Sequence, residues 1–166
     1  MAVVRRAAPA HPRTTPDSGV YARVRLLDPF EPQNLAREAS ARLGRPAAVV
    51  LGPRFGRGPR GALAPVDPLS ANLLDRALVK LLGHDLDLDT RVIAVPHALS
   101  AHLEGARAWV FPLESPAWRM GALLVGGREP LAAGMLTDAI GLAADFALGL
   151  EEEDRRLRRA HFFCPA

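Results

Sequence analysis

The chain has 166 residues, of which 49% are hydrophobic, and its formal net charge is +3. This length and composition suffice for one domain with its own hydrophobic core, and they exclude an intrinsically disordered protein. Residues 1–18 hold three arginines and one aspartate, so the rest of the chain is nearly neutral. A nearly neutral body argues against extensive contact with nucleic-acid phosphates. The only cysteine is Cys164, which excludes an intrachain disulfide and a cysteine-based metal cage.

The first 18 residues are rich in proline, alanine and arginine, and this composition predicts a disordered basic tail. Prolines at positions 9, 12 and 16 interrupt it, so it does not form a secretory signal. No uninterrupted apolar run along the chain reaches the roughly 18 residues of a membrane span. We therefore expect a cytoplasmic protein without a membrane partner.

The body of the chain, residues 19–150, predicts one domain of alternating strands and helices. Apolar and polar residues alternate over 20–26, which is the period of a strand. Over 35–43 apolar residues recur at helical spacing, and Gly44 suits the left-handed position that ends a helix. Residues 47–51 form a short apolar run between a proline and a glycine, which is typical of a buried strand.

The middle of the chain begins with fifteen residues, 52–66, that are rich in glycine, proline and arginine. This composition predicts a long loop, and loops of this length are usually functional or disordered. An apolar stripe then predicts a second helix over 73–82. A strand over 91–95 and one or two helical turns over 98–103 follow.

The last third of the chain predicts a β-hairpin followed by a long helix. Residues 108–113 and 120–126 are apolar enough for two paired strands, and their connection is longer than a tight two-residue turn. The helix is predicted over 131–160. It follows the hairpin directly and is long enough to meet a partner.

The predicted terminal helix has two different halves. Small apolar residues occupy the first half, and a charged run starts at Glu151. Acidic residues in this run stand four positions before basic ones, which is the favourable order on an exposed helix. Residues 151–166 are therefore expected to form an exposed helical extension and tail. Residues seven apart, with one aromatic between them, form a thin heptad seam that predicts pairing with a second copy: Leu136, Ala143, Phe146, Leu150 and Leu157.

This order of elements resembles the GAF domain family over about residues 33–150. A strand that ends in Pro112-Leu113 is followed by an apolar strand that begins at Gly121, and the Leu/Ala-rich helix over 138–148 is similar to the last helix of that family. The resemblance implies an α+β fold, with a mainly antiparallel sheet flanked by helices and a ligand cavity between the sheet and the connecting segments. It also implies frequent dimerisation. Roadblock-like dimerisation modules share a related layered architecture and are the structural alternative.

Several GAF activities do not fit this sequence. Bilin-carrying members attach their chromophore through a cysteine inside the domain, and free methionine sulfoxide reductases use several cysteines, but this chain has none before Cys164. The Asn-Lys-Phe-Asp-Glu set of cyclic-nucleotide-binding members is not found. No serine lies in a Gly-x-Ser-x-Gly elbow. We therefore expect a protein that is not an enzyme and that uses no cofactor and no metal.

Candidates for a ligand pocket are the aromatic and imidazole side chains on the connecting segments or on an open sheet face, because such pockets have apolar walls with a few polar groups: Phe55, His97, His102, Trp109, Phe111 and Trp118. By strand parity Trp109 and Phe111 share one face, where they either line a pocket or belong to the core. Three arginines of the loop 53–61 are weaker candidates for contact with an anion or with nucleic acid: Arg54, Arg57 and Arg60.

These features predict a non-catalytic sensory or interaction module. It is expected to bind a small ligand or a separate effector protein and to form a homodimer through its terminal helix. A structural, roadblock-like dimerisation protein without a pocket is the main alternative. A nucleic-acid-associated protein that uses the loop 53–61 is the third possibility.

Overall fold

The computed structural model describes four stretches of the chain: 28–54, 57–66, 70–82 and 91–163. It leaves out the side chains at a few positions within them: 72, 82, 91 and 161–163. The predicted tail over 1–18 and the predicted strand over 20–26 lie outside the described residues. Phe55 and Cys164 also lie outside them.

The described stretches contain every helix and strand predicted from residue 33 onward, and one strand more. In chain order the elements are α1 (Pro32–Leu43), β1 (Ala47–Leu51), β2 (Arg60–Ala64), α2 (Ala71–Leu82), β3 (Arg91–Ala94), α3 (His97–Ser100), β4 (Arg107–Glu114), β5 (Arg119–Val125) and α4 (Ala133–Phe163).

The strands form one sheet in the order β2-β1-β5-β4-β3, and every neighbouring pair is antiparallel. This confirms the predicted fold class. The pairing of β1 with β5 depends on Gly121, which lies opposite Leu51, because a Cβ atom there would overlap the carbonyl oxygen of Val50. The same pairing continues past β1, where the Gly52 N–H donates to the Met120 carbonyl at 2.8 Å.

The sheet has a hydrophobic core on each face, because successive side chains of its central strands point to opposite sides. On one face, α1 and α4 cover Val49 and Phe111. On the other face, α2 and α3 cover Val50, Val110 and Leu124. β1 is therefore buried at all five positions.

The prediction of a continuous loop over 52–66 is wrong, because β2 forms within it. Only the last three residues of β2 are buried, so the strand is too short for its period to stand out from the surrounding glycines and prolines. Gly61 lets α2 approach this strand closely, since a Cβ atom there would lie 2.8 Å from the Cβ atom of Leu78.

Side chains from two helices bind the outer edge of β2. The Gly61 N–H donates to Asp75 Oδ1 at 2.5 Å, and Gln33 Nε2 donates to the Leu63 carbonyl at 3.4 Å. An edge strand whose outward backbone groups are occupied in this way is a poor template for pairing with another chain.

The structure places three of the five residues of the predicted pairing seam in the core of their own domain. Ala143, Phe146 and Leu150 are buried against the sheet, which leaves them no surface for a partner. Leu136 packs partly against the same core, whereas Leu157 is 36% exposed. Heptad spacing and the 3.6-residue period nearly coincide over this length, so the predicted seam is the core-facing stripe of α4.

The exposed extension of α4 begins about one turn later than residue 151. Glu151 and Asp154 are buried, whereas residues 155–160 are exposed. Of the predicted pairs four residues apart, Glu151 does bind Arg155. Asp154 instead binds Arg54, far away in sequence.

By length and composition alone, residues 133–160 of α4 are long and apolar enough to cross a membrane. We did not expect this, because charged residues interrupt every apolar run of that length. In the fold, 33% of the most apolar 18-residue segment of this helix is buried, and one face of the helix forms part of the core.

Candidate functional site

Three segments meet at one end of the sheet and surround a cavity of about 400 Å³. They are the β1–β2 loop, the β4–β5 turn and the turns of α4 around Asp154 and Arg158. This volume lies within the range of small-molecule pockets. The lining combines apolar groups, guanidinium groups and one carboxylate: Gly52, Pro53, Arg54, Trp118, Arg119, Met120, Asp154 and Arg158. We call it the hairpin–helix cavity.

Arg54 connects the β1–β2 loop to α4. Its Nε and Nη2 atoms donate to Asp154 Oδ1 at 3.0 and 2.5 Å, and Nη2 also donates to Glu153 Oε2 at 3.0 Å. The Leu150 carbonyl accepts a further hydrogen bond from Nη2 at 3.1 Å. The side chains of Arg54 and Asp154 are only 10% and 4% exposed, so this is a buried, charge-assisted contact.

The β4–β5 turn places an aromatic ring beside α4. The Ser115 N–H donates to the Trp118 carbonyl at 3.0 Å and closes the turn. At its base, Arg119 Nη2 donates to Glu114 Oε2 at 2.9 Å. The guanidinium carbon of Arg158 lies 4.4 Å from the centre of the Trp118 ring, which is a cation–π distance.

Glu151 makes a second contact between α4 and this turn. A hydrogen bond with the Ser115 side chain is the largest of the effects that lower the pKa of the Glu151 carboxyl below its ordinary value of 4.5. Partial burial opposes it by raising that pKa, while the hydrogen bond and charge of Arg155 lower it further. Ionised Glu151 therefore stabilises the fold above its unfolded pKa. This contribution is lost as the pH falls through the lowered folded-state pKa.

Replacing Ser115 by alanine is expected to destabilise the protein at neutral pH and to lose that effect in acid. The melting temperature of Ser115→Ala should lie below that of the wild type at about pH 7, and the difference should shrink as the pH falls through the lowered folded-state pKa of Glu151. Ser100→Ala is the matched control, because the Ser100 hydroxyl donates to the His97 backbone carbonyl at 2.9 Å. A difference for Ser115→Ala that stays constant with pH would contradict the contact with Glu151.

The other two arginines singled out in the sequence bind a carboxylate just before α1. The Nη1 atoms of Arg57 and Arg60 donate to Glu31 Oε1 and Oε2 at 2.8 and 2.5 Å. Since Arg54 binds Asp154, each of the three guanidinium groups offered to an anion already faces a carboxylate. Nucleic-acid phosphates would therefore have to displace an ion pair at every one of these arginines.

The structure brings one of the five described pocket candidates, Trp118, to the hairpin–helix cavity. Trp109 and Phe111 share a face, as parity predicts, but they pack in the core under α4. His97 is exposed at the start of α3, and His102 is half-buried in the turn that follows. Within the described stretches, no three His, Cys, Asp or Glu side chains form a group that could hold a metal ion.

Six residues of the cavity lining were not identified as site residues from the sequence: Gly52, Pro53, Arg119, Met120, Asp154 and Arg158. The available signal lies on α4, where Asp154 stands four residues after Leu150 and three before Leu157. That spacing places a carboxylate on the apolar stripe of the helix, and such a carboxylate is rarely buried unless it is paired.

The GAF resemblance implied a cavity between the sheet and the connecting segments. Two connecting segments, the β1–β2 loop and the β4–β5 turn, line the hairpin–helix cavity together with α4 at the end of the sheet. Under α2 and α3, by contrast, Leu78, Leu99 and Leu103 are fully buried and pack against the sheet.

No protein-family model matches the sequence, and a search of curated proteins finds no match either. Two similar solved structures are the second GAF domain of DevS from Mycobacterium smegmatis and the GAF-B domain of the same protein. Each is 22% identical over 76% of this chain and 99% of that chain, with TM-scores of 0.47 and 0.46. The fold is GAF-like. This description follows from the observed order of elements, in which the helix, the strand, the second helix, the hairpin and the long terminal helix stand as the resemblance implied.

Proposed function

We propose that this chain is a non-catalytic sensory or interaction module in which a small ligand and a second copy of the chain bind the same helix, α4. One observation carries the proposal. Asp154 and Arg158 of α4 line the hairpin–helix cavity, while another side of the helix is apolar and exposed. A ligand in the cavity therefore contacts the element that a partner contacts. Coupling requires that the ligand bind two states of this helix with different affinities.

The surface that we assign to the partner is the outward patch of α4, which consists of Ile140, Gly141, Ala144 and Leu148. Ile140 and Leu148 are 50% and 60% exposed. Gly141 and Ala144 are exposed between them, and such small residues allow another helix to approach closely. This patch replaces the heptad seam as the candidate pairing surface.

The charges on α4 favour a second copy in antiparallel orientation. On the exposed side, Asp138 and Asp145 precede Leu148, whereas Arg155 and Arg159 follow it together with one acidic residue, Glu152. In an antiparallel pair, the aspartates of each helix would lie nearer to the arginines of the other helix than they would in a parallel pair. A parallel pair would bring like charges together, which is unfavourable.

Replacing Leu148 by glutamate is expected to weaken self-association at least about tenfold, because desolvating a carboxylate in the interface costs more than about 1.4 kcal/mol. Sedimentation equilibrium over a range of concentrations measures this effect. Leu73→Glu is the matched control. Leu73 is 73% exposed on α2, so this substitution introduces the same negative charge on a helix other than α4. A wild-type chain that remains monomeric, or equal weakening by both substitutions, would rule out pairing through the outward patch.

A structural dimerisation protein without a ligand is the second candidate. It is favoured by the closely packed layer under α2 and α3, in which Leu78, Leu99 and Leu103 are fully buried against the sheet. Both candidates use the outward patch, and they differ at the hairpin–helix cavity. A chain that pairs through α4 but binds none of the probes described below is the structural protein.

A further inference from the structure

We propose that the hairpin–helix cavity binds a planar aromatic carboxylate, with the ring against Trp118 and the carboxylate beside Arg158 and Arg119. This inference rests on the proposed ligand-binding function and adds the chemical class of the ligand. Two separate observations support the inference: the apolar, aromatic wall of the cavity and the charged groups in its lining.

The apolar part of the lining favours an aromatic ring. Trp118 is 38% exposed, so part of its ring surface remains open to a ligand although Arg158 lies over the ring. Met120 and Pro53 line the same cavity. Indole and thioether groups attract aromatic rings beyond the effect of buried area alone. A flat aromatic ligand therefore fits this wall better than a saturated one.

The charged part of the lining selects an anion. Arg54, Arg119 and Arg158 line the cavity together with one carboxylate, that of Asp154. Arg54 already donates to that carboxylate at 2.5 Å, and Glu114, which binds Arg119, is outside the lining. A cationic ligand would meet three guanidinium groups and a single lining carboxylate, which Arg54 already binds. A carboxylate would meet guanidinium groups, whose paired N–H donors match its two oxygens.

The size of the cavity limits the ligand further. About 400 Å³ is in the lower part of the range for small-molecule pockets, which extends from about 300 to about 1,000 Å³. This volume suits one fused ring system with a carboxylate. A dinucleotide would overfill it.

Isothermal titration calorimetry of the full chain with 2-naphthoate tests the proposal against three matched probes. 2-Naphthylmethanol keeps the rings without the charge, decahydro-2-naphthoate keeps the charge without the aromatic rings, and 2-naphthylmethylammonium reverses the charge. We expect 2-naphthoate to bind at least about tenfold more tightly than each of the other three. Added salt should weaken its binding, because the guanidinium charges at the cavity are partly exposed to solvent.

Two substitutions locate the binding. Arg158→Gln should weaken 2-naphthoate binding about tenfold, whereas Arg159→Gln, at an exposed neighbour outside the lining, should leave it unchanged. Trp118→Leu should weaken 2-naphthoate more than decahydro-2-naphthoate. Equal effects of the two arginine substitutions would overturn the assignment.

The outcomes separate the ligand class from the proposed function. Suppose that one of the other three probes binds most tightly and that this binding is lost in Trp118→Leu. This result would overturn the aromatic-carboxylate class, but the chain would still be a ligand-binding module. Absence of binding by all four probes overturns the inference, and the sedimentation experiment then decides whether the chain is the structural dimer.

Discussion

Replacing Arg54 by methionine is expected to lower the free energy of unfolding by about 3–5 kcal/mol, because it leaves a buried carboxylate without its partner. Methionine keeps much of the side-chain volume but donates no hydrogen bond. Asp154 would then carry its charge in a site where its side chain is 4% exposed. Glu153 and the Leu150 carbonyl would lose the same donor. Urea unfolding followed by circular dichroism measures the change.

Two controls show whether the loss comes from the buried ion pair. The pair of Arg42 with Glu38 on α1 is exposed, so Arg42→Met should change the stability by less than about 1 kcal/mol. The double substitution of Arg54→Met with Asp154→Leu removes the buried Arg54–Asp154 pair and should recover the part of the loss that comes from Asp154, while Glu153, which is 11% exposed, still lacks its donor. If Arg54→Met cost no more than Arg42→Met, Arg54 would not be essential for connecting the β1–β2 loop to α4.

Most of the fold could be predicted because local apolar periodicity coincides with burial. β1 is an apolar run buried on both faces, and Gly44 ends α1 in the left-handed conformation, with φ at 62°. β2 could not be predicted in this way. Its position depends on the contact of Gly61 with Leu78 and on the hydrogen bond to Asp75, and both partners come from a later helix.

The candidate site could be predicted only in part, because contacts between distant residues form it. Trp118 can be identified as an aromatic residue in a turn. Arg54 and Asp154, however, lie 100 residues apart in sequence, so the local pattern around each does not identify the other as its partner. α4 shows the same limit, because apolar residues lie on two of its sides. The spacing of apolar residues alone does not show that the side with Leu150 faces the core and that the side with Leu148 faces outward.

Replacing Gly121 by alanine is expected to destabilise the protein by about 3 kcal/mol or more. The added Cβ would overlap the carbonyl oxygen of Val50 and would lie 3.0 Å from the Cα atom of Leu51. Both are backbone atoms of the neighbouring strand, so neither can move without opening the pairing of β1 with β5. The hydrogen bond from Gly52 to the Met120 carbonyl continues this pairing at the hairpin–helix cavity. Ligand binding should therefore decrease together with stability.

Gly141→Ala is the matched control for the same chemical change. Nothing lies within 4 Å of a Cβ atom added at Gly141, on the exposed side of α4. Alanine in an exposed helix is more stable than glycine by about 0.5–1 kcal/mol, so the melting temperature of this variant should rise. The two substitutions should thus shift thermal unfolding in opposite directions. If the melting temperature of Gly121→Ala were unchanged, β1 and β5 could move apart at this position without loss of stability. The close approach of the two strands would then not explain why residue 121 is a glycine.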